Sequence, residues 1–186
     1  MDDLMPSPLF DLFDLKALFA GLPTLDSTAT DEASFQFLFG LLQKHRPQSI
    51  IEAGTYQGHF AVGAARLLPH TFVITFDPID HGWTKNLVPN MQFLRHDFNF
   101  IPTAFDFAFI DSGPPFPGSP TPQQPAWEHD IRWRHWRLAC DAVLPGGFVA
   151  CHDTNATDWQ HAKEIRAQCQ MHFAGGRGVS VWEKPR

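Results

Sequence analysis

Short apolar runs, each closed by an acid or a glycine, recur along the chain with longer stretches of helical periodicity between them. Ile50 to Ala53, Thr71 to Phe76, Met91 to Leu94, Phe105 to Ile110 and Phe148 to His152 read as strands. The run from Phe105 is apolar throughout except at Asp106, as expected of a strand covered on both faces. Between these runs the pattern turns helical. Thr30, Asp31 and Glu32 start a helix that ends at Lys44, His45 and Arg46 before Pro47, each charge suiting its end of the helix dipole. Further helices are predicted over about 58–68, 126–143 and 158–168, the second stopped by Leu144-Pro145-Gly146-Gly147, with closing strands over about 170–174 and 178–183. Regular alternation of strand and helix predicts an α/β protein: a doubly wound, mostly parallel sheet of seven strands with helices on both faces.

Two stretches stand outside that alternation. Residues 7–20 have a helix start at Ser7 and Pro8 and a stop at Gly21 and Pro23. Leu9, Phe10, Phe13, Leu18 and Phe19 form its apolar side, suited to core or homodimer packing, so residues 1–29 are expected to be a helical extension ahead of a domain spanning 30–186. Residues 112–125 hold six prolines and two glycines, which excludes a regular element and predicts a long loop leaving the strand end at Asp111 as a lid or binding loop.

A length of 186 residues with 44% apolar content suits one core. The net charge of −6 argues against a surface built to grip nucleic-acid phosphates and favours a small-molecule partner. Three cysteines, Cys140, Cys151 and Cys169, without Cys-x-x-Cys spacing, fit buried thiols in a reducing, cytoplasmic compartment. Neither a secretory leader nor a membrane span is expected. In Arg132-Trp133-Arg134-His135-Trp136-Arg137, cations mix with aromatics as in single-strand nucleic-acid readers. Helical spacing instead puts Trp133, Trp136 and Cys140 on one stripe and leaves the arginines as a solvated face.

Chemistry gathers where the strands end. Ile50-Ile51-Glu52-Ala53-Gly54-Thr55-Tyr56-Gln57-Gly58-His59-Phe60 reads as strand, glycine-bounded turn and helix, an arrangement that lets backbone approach a nucleotide-like ligand. Tyr56 stands where the dinucleotide fingerprint needs a glycine, which disfavours NAD. The later strand ends carry Asp77, Asp97, Asp111 and Asp153. Ligands of parallel sheets bind beyond the carboxyl ends of the strands, so these acids are expected around one site.

Glu52-x-Gly54-Thr55-Tyr56-x-Gly58, Phe107-Ala108-Phe109-Ile110-Asp111 and Leu144 to Thr154 (LPGGFVACHDT) together resemble the class I S-adenosylmethionine-dependent methyltransferases, in particular the catechol and caffeoyl-CoA O-methyltransferase branch. The resemblance spans residues 30 to 183 as an ordered set of elements. It implies a Rossmann-like methyltransferase fold with an antiparallel last strand, S-adenosylmethionine as cofactor and an oxygen of a small molecule as methyl acceptor. It further implies that Glu52, Gly54, Thr55, Tyr56 and Gly58 line the methionine part of the cofactor, that Asp77 takes the ribose hydroxyls, and that Asp97 and Phe98 flank the adenine. Asp111 would face the reacting end. In that branch the acid after the fourth strand and an Asp-Asn pair after the fifth hold a divalent metal. The matching positions here are Asp111 and Asp153, with Thr154 in place of the Asn and Asn155 one residue late. Mg²⁺ held by Asp111, Asp153 and Asn155 is the expectation carried forward, although the branch's Asp-Gly-x-His is replaced by Asp111-Ser112-Gly113-Pro114. Asp111, Asp153 and His152 are the catalytic candidates, His152 as a base or as a buried structural histidine, and His59 carries the same two readings. A cofactor-binding protein that has kept the fold and lost catalysis is the alternative from another class.

Overall fold

The computed structural model describes residues 13–26, 30–99, 104–113, 131–155 and 161–186. Its strands are β1 (Ser49–Ala53), β2 (Phe72–Phe76), β3 (Met91–Leu94), β4 (Phe105–Ile110), β5 (Val143–His152), β6 (Met171–Phe173) and β7 (Val179–Glu183). They form one sheet in the order β3-β2-β1-β4-β5-β7-β6. The first five pair in parallel, and β7 inserts antiparallel between β5 and β6. The described helices are α1 (Leu15–Leu18), α2 (Glu32–His45), α3 (His59–Leu67), α4 (Ile131–Ala142) and α5 (Ala162–Gln168), with a 3₁₀ turn at Thr84–Asn86. The doubly wound architecture expected from the alternation is present.

Alternation along the central strands divides the core in two. Ile50, Phe107 and Phe109 point to the face covered by α2 and α3, where Phe35, Leu38, Phe39, Leu42 and Phe60 meet them. Ile51, Ala53, Ala108 and Ile110 point to the other face, against Trp136 and Ala139 of α4 and Ile165 of α5. Asp106, the one polar interruption in β4, sits at the opposite edge of the sheet from the strand ends discussed above. Its Oδ2 accepts from the backbone N–H of Gln48 and Ser49 and from the Ser49 hydroxyl, which satisfies the start of β1.

Two boundaries are set by local contacts. Within the expected Thr30-Asp31-Glu32 start, the cap of α2 is Asp31: its carboxylate accepts from Ser34 N and Oγ, which leaves the Thr30 hydroxyl for Asp111. β5 begins five residues early, because Val143 pairs with Phe105 and the glycine pair passes through a bulge before Phe148 pairs with Phe107. A side chain at Gly147 would lie 2.6 Å from Asp106 O, so only glycine lets the two strands stay together there. The described part of the N-terminal extension lies on α2 and α3. Phe19 packs edge-on to Phe35, and Arg66 donates to Leu18 O and Ala20 O. Leu9 and Phe10, all but Ser112 and Gly113 of the 112–125 loop, and the first turn of the helix expected from 126 lie outside the described residues.

Candidate active site

The strand ends do converge. Gly54 and Thr55 N–H groups both donate to Phe76 O, Asp77 N donates to Leu94 O and Asp111 N to Ala53 O, so ladder hydrogen bonding fixes the glycine loop, Asp77 and Asp111 side by side. Asp77 is wired into the loop itself: its Oδ2 accepts from Tyr56 N at 2.9 Å and its Oδ1 from Ile79 N at 2.9 Å. Each oxygen keeps a lone pair for a vicinal diol. Gly54, Tyr56 and Gly58 all have positive φ, which threads the chain sharply from β1 into α3.

The two glycines are required by protein neighbours. A Cβ at Gly54 would lie 2.6 Å from Ser112 N, and one at Gly58 would lie 2.6 Å from the ring of Trp83, a wholly buried side chain. At Gly58 the Trp83 ring already excludes a side chain from the protein side. Glu52 does not reach the cleft either. It is buried and accepts from the Thr75 hydroxyl, which in turn is bonded to Thr55, so it anchors the loop from beneath the sheet. Burial pushes its carboxyl well above the usual range, with Asp111 and Asp77 adding to the effect against the Thr75 bond. Tyr56 extends along the surface, its hydroxyl donating to Asp26 at 2.8 Å.

At the next strand ends, Asp97 pairs with Arg134 at 2.9 Å and lies 3.2 Å from His135 Nε2, while Ser112 Oγ meets His135 Nδ1 at 2.7 Å. Burial first, with Arg134 and Arg132 in support and Asp97 opposing, brings His135 down to about 4. Phe98 departs from its expected place beside an adenine: at 1% exposure it is packed edge-on to Phe76 and His135 as part of the core.

Beyond β4 and β5 lies the densest charge cluster of the described residues. His152 Nδ1 sits 3.1 Å from Asp111 Oδ1 and 3.2 Å from Asp153 Oδ1, with Nε2 3.5 Å from Asp31. Arg132 reaches in from α4, 2.6 Å from Asp153 Oδ2 and 3.4 Å from Asp111 Oδ1. Arg177 pairs with Asp153: Nη2 donates to Oδ2 at 2.9 Å, and Nε stands 2.7 Å from Oδ1 as an ion-pair contact outside hydrogen-bond geometry. Thr30 donates to Asp111 Oδ2 at 2.6 Å. Burial opposes the Asp111 charge, but His152, Arg132 and Thr30 outweigh it and hold the carboxyl down at about 2. His152 loses by burial and gains more from Asp111 and Asp153, so its pKa is raised.

Asp111, His152 and Asp153 are the one group of described residues whose ligand atoms converge within 4.8 Å, as a metal would require. The donor chemistry does not fit Mg²⁺. That ion wants about six oxygens near 2.1 Å and keeps waters on several of them. Here one of three donors is an imidazole, both Asp111 oxygens and Asp153 Oδ2 are hydrogen-bonded to hydroxyl, imidazole or guanidinium groups, and Asp153 Oδ1 is ion-paired with Arg177. Asn155 is not brought in at all. Its Oδ1 lies 3.1 Å from His172 Nε2 and its Nδ2 donates to Ala174 O, while Thr154 Oγ1 accepts from Ser180. The displaced position of Asn155 in the sequence turns its amide toward β6 and β7.

Arg132 and Arg177 are the residues that sequence reasoning missed. Arg132 was expected on a solvated face; its side chain is 14% exposed and also donates from Nε to Ser112 O at 2.7 Å. Only Arg134 and Arg137 of that segment are exposed. His59 follows its structural reading: it is buried between Phe19 and Phe35, with Nε2 2.8 Å from Pro23 O.

No family model and no curated protein matches the chain. Among solved structures it is similar to the O-methyltransferase from Bacillus cereus in complex with SAH, at 16% identity and a TM-score of 0.61, covering 91% of this chain and 90% of that one. TomG, the Streptomyces achromogenes O-methyltransferase involved in tomaymycin synthesis, solved with SAM, gives 16% identity and a TM-score of 0.60 over 87% and 84%. A SAM-dependent O-methyltransferase from Thermotoga maritima gives 13% and 0.64 over 87% and 68%. The chain thus has the Rossmann-like fold of the S-adenosylmethionine-dependent O-methyltransferases, the class to which its motifs pointed.

Proposed function

We propose that this protein transfers a methyl group from S-adenosylmethionine to an oxygen of a small molecule. The observation that supports this most is the alignment of the Gly54–Gly58 loop, Asp77, Asp111 and Asp153 along one edge of a sheet with this strand order. In this reading the loop holds the methionine portion, Asp77 accepts from the ribose hydroxyls, and Asp97 lies on the adenine side. Asp111 faces the sulfonium and the acceptor.

Most of the rate enhancement comes from holding the acceptor oxygen in line with the methyl group, since displacement at carbon is governed by approach and angle. The acceptor hydroxyl must shed a proton as the bond to carbon forms; Asp111, the most exposed of Asp111, His152 and Asp153, accepts its hydrogen bond and, with that carboxyl held at about 2, the proton passes on to solvent. His152 has no exposed side-chain surface, so it acts through Asp111 as a positioning residue and shares the charge across the 3.1 Å contact. Asp153, gripped by two guanidiniums, holds that arrangement from the β5 side.

Calorimetry with S-adenosylhomocysteine, followed by transfer of radiolabelled methyl to a panel of phenols, catechols and aliphatic alcohols, tests the reading. Asp77→Ala should weaken cofactor binding by about 1–3 kcal/mol through lost hydrogen bonds to the ribose. Unchanged affinity in a folded Asp77→Ala protein would remove the cofactor assignment. Cofactor binding without transfer to any acceptor would favour a non-catalytic binder on this fold.

A further inference from the structure

We infer that the guanidinium groups of Arg132 and Arg177 occupy the place a divalent cation would need between the ends of β4 and β5, so that this site works without metal. Asp153 Oδ2 accepts from Arg132 at 2.6 Å and from Arg177 Nη2 at 2.9 Å, and Arg177 Nε lies 2.7 Å from Oδ1 as an ion-pair contact. Asp111 is bonded on Oδ2 by Thr30 and on Oδ1 by His152, with Arg132 at 3.4 Å. A cation placed between these carboxylates would stand in contact with fixed positive charge, because a guanidinium does not deprotonate in a protein. Neither arginine is a chance visitor. Arg132, 14% exposed at the first turn of α4, donates from Nε to Ser112 O, and the Arg177 backbone N–H donates to Asp31, the cap of α2. Three carboxylates, Asp31, Asp111 and Asp153, are thus faced by two guanidiniums and an imidazole. Two unpaired acids at neighbouring strand ends demand a counter-charge, and this chain supplies it from its own side chains.

The inference depends on the methyl-transfer reading only for its meaning in turnover, and its test needs none. Mn²⁺ is titrated into the protein with S-adenosylhomocysteine present, and free Mn²⁺ is followed by its paramagnetic resonance signal. Wild-type protein should show no saturable binding below about millimolar Mn²⁺, weaker than protein sites with free carboxylates reach. The Arg132→Met, Arg177→Met double variant should bind Mn²⁺ at least about tenfold more tightly, because the released carboxylates become ligands. Should the double variant fail to fold, Arg177→Met alone serves, since that side chain is half exposed. One Mn²⁺ bound per wild-type chain and lost in Asp153→Asn would overturn the inference, as would folded arginine variants that stay blind to Mn²⁺. Absence of S-adenosylhomocysteine binding would count against the cofactor reading and leave the Mn²⁺ comparison standing.

Discussion

Single atoms decide what several of these positions tolerate. Gly58 caps α3 at a φ of 82°, with the Trp83 ring where a Cβ would go. Gly58→Val should therefore destabilise the protein by about 2–4 kcal/mol, from left-handed strain plus overpacking, and lose cofactor binding as a consequence. Trp83→Leu in the same chain removes the collision but not the strain, so urea unfolding should recover in part. Full loss of binding at unchanged stability would mean that the ligand, not Trp83, excludes the side chain. At Asp111 the charge matters to one cofactor form more than the other. S-adenosylmethionine carries a sulfonium and its demethylated product does not, so Asp111→Asn should lower affinity for the first while changing the second little. Equal losses in calorimetry would take Asp111 away from the reacting end.

At the scale of elements, the start of α2 ties three parts of the chain together. Asp31 caps the helix through Ser34, accepts from Arg177 N and lies 3.5 Å from His152, while Thr30 beside it bonds Asp111. Asp31→Ala should cost about 1 kcal/mol as a lost cap, and the thermal midpoint should fall further than for a cap alone because the loop holding Arg177 loosens with it. A midpoint shift matching an isolated cap would separate α2 from the site. The contrast between Asp77, Asp111 and Asp153 on one side and Arg132 and Arg177 on the other shows what a sequence makes legible. An acid that closes a buried apolar run can only lie at a strand end, and in a parallel sheet those ends share an edge. Periodicity gives the angles between Arg132, Trp133 and Trp136 around α4, but not which stripe the sheet edge meets. Trp136 and Ala139 pack on the sheet, and this rotation carries Arg132 over the ends of β4 and β5. Arg177 lies in a short loop between β6 and β7, where no period exists to place it. Thr30 and Asp31 are both good caps by type, so the choice between them depended on Asp111, 81 positions away.

The whole molecule feels its buried acids as opposing dependences of stability on pH. Asp111 falls from 3.8 to about 2 on folding, so its contribution is complete above 3.8 and is lost as pH drops toward 2. Glu52 moves the other way. Buried between β1 and β2 and bonded to Thr75, it holds its proton more tightly folded than unfolded, since desolvation and the neighbouring Asp111 and Asp77 all oppose its charge. Its contribution is therefore present below 4.5 and declines as pH rises toward the raised folded value, because the unfolded chain gives up the proton first. Glu52→Gln keeps a carbonyl oxygen for the Thr75 hydroxyl and removes the titration. Measured by urea unfolding, the variant should match wild type near pH 4 and gain stability relative to it by pH 7. A difference that stays constant across that range, or one that grows toward acid, would mean that Glu52 is ionised beneath the sheet and that the Thr55–Thr75 chain rests on a carboxylate.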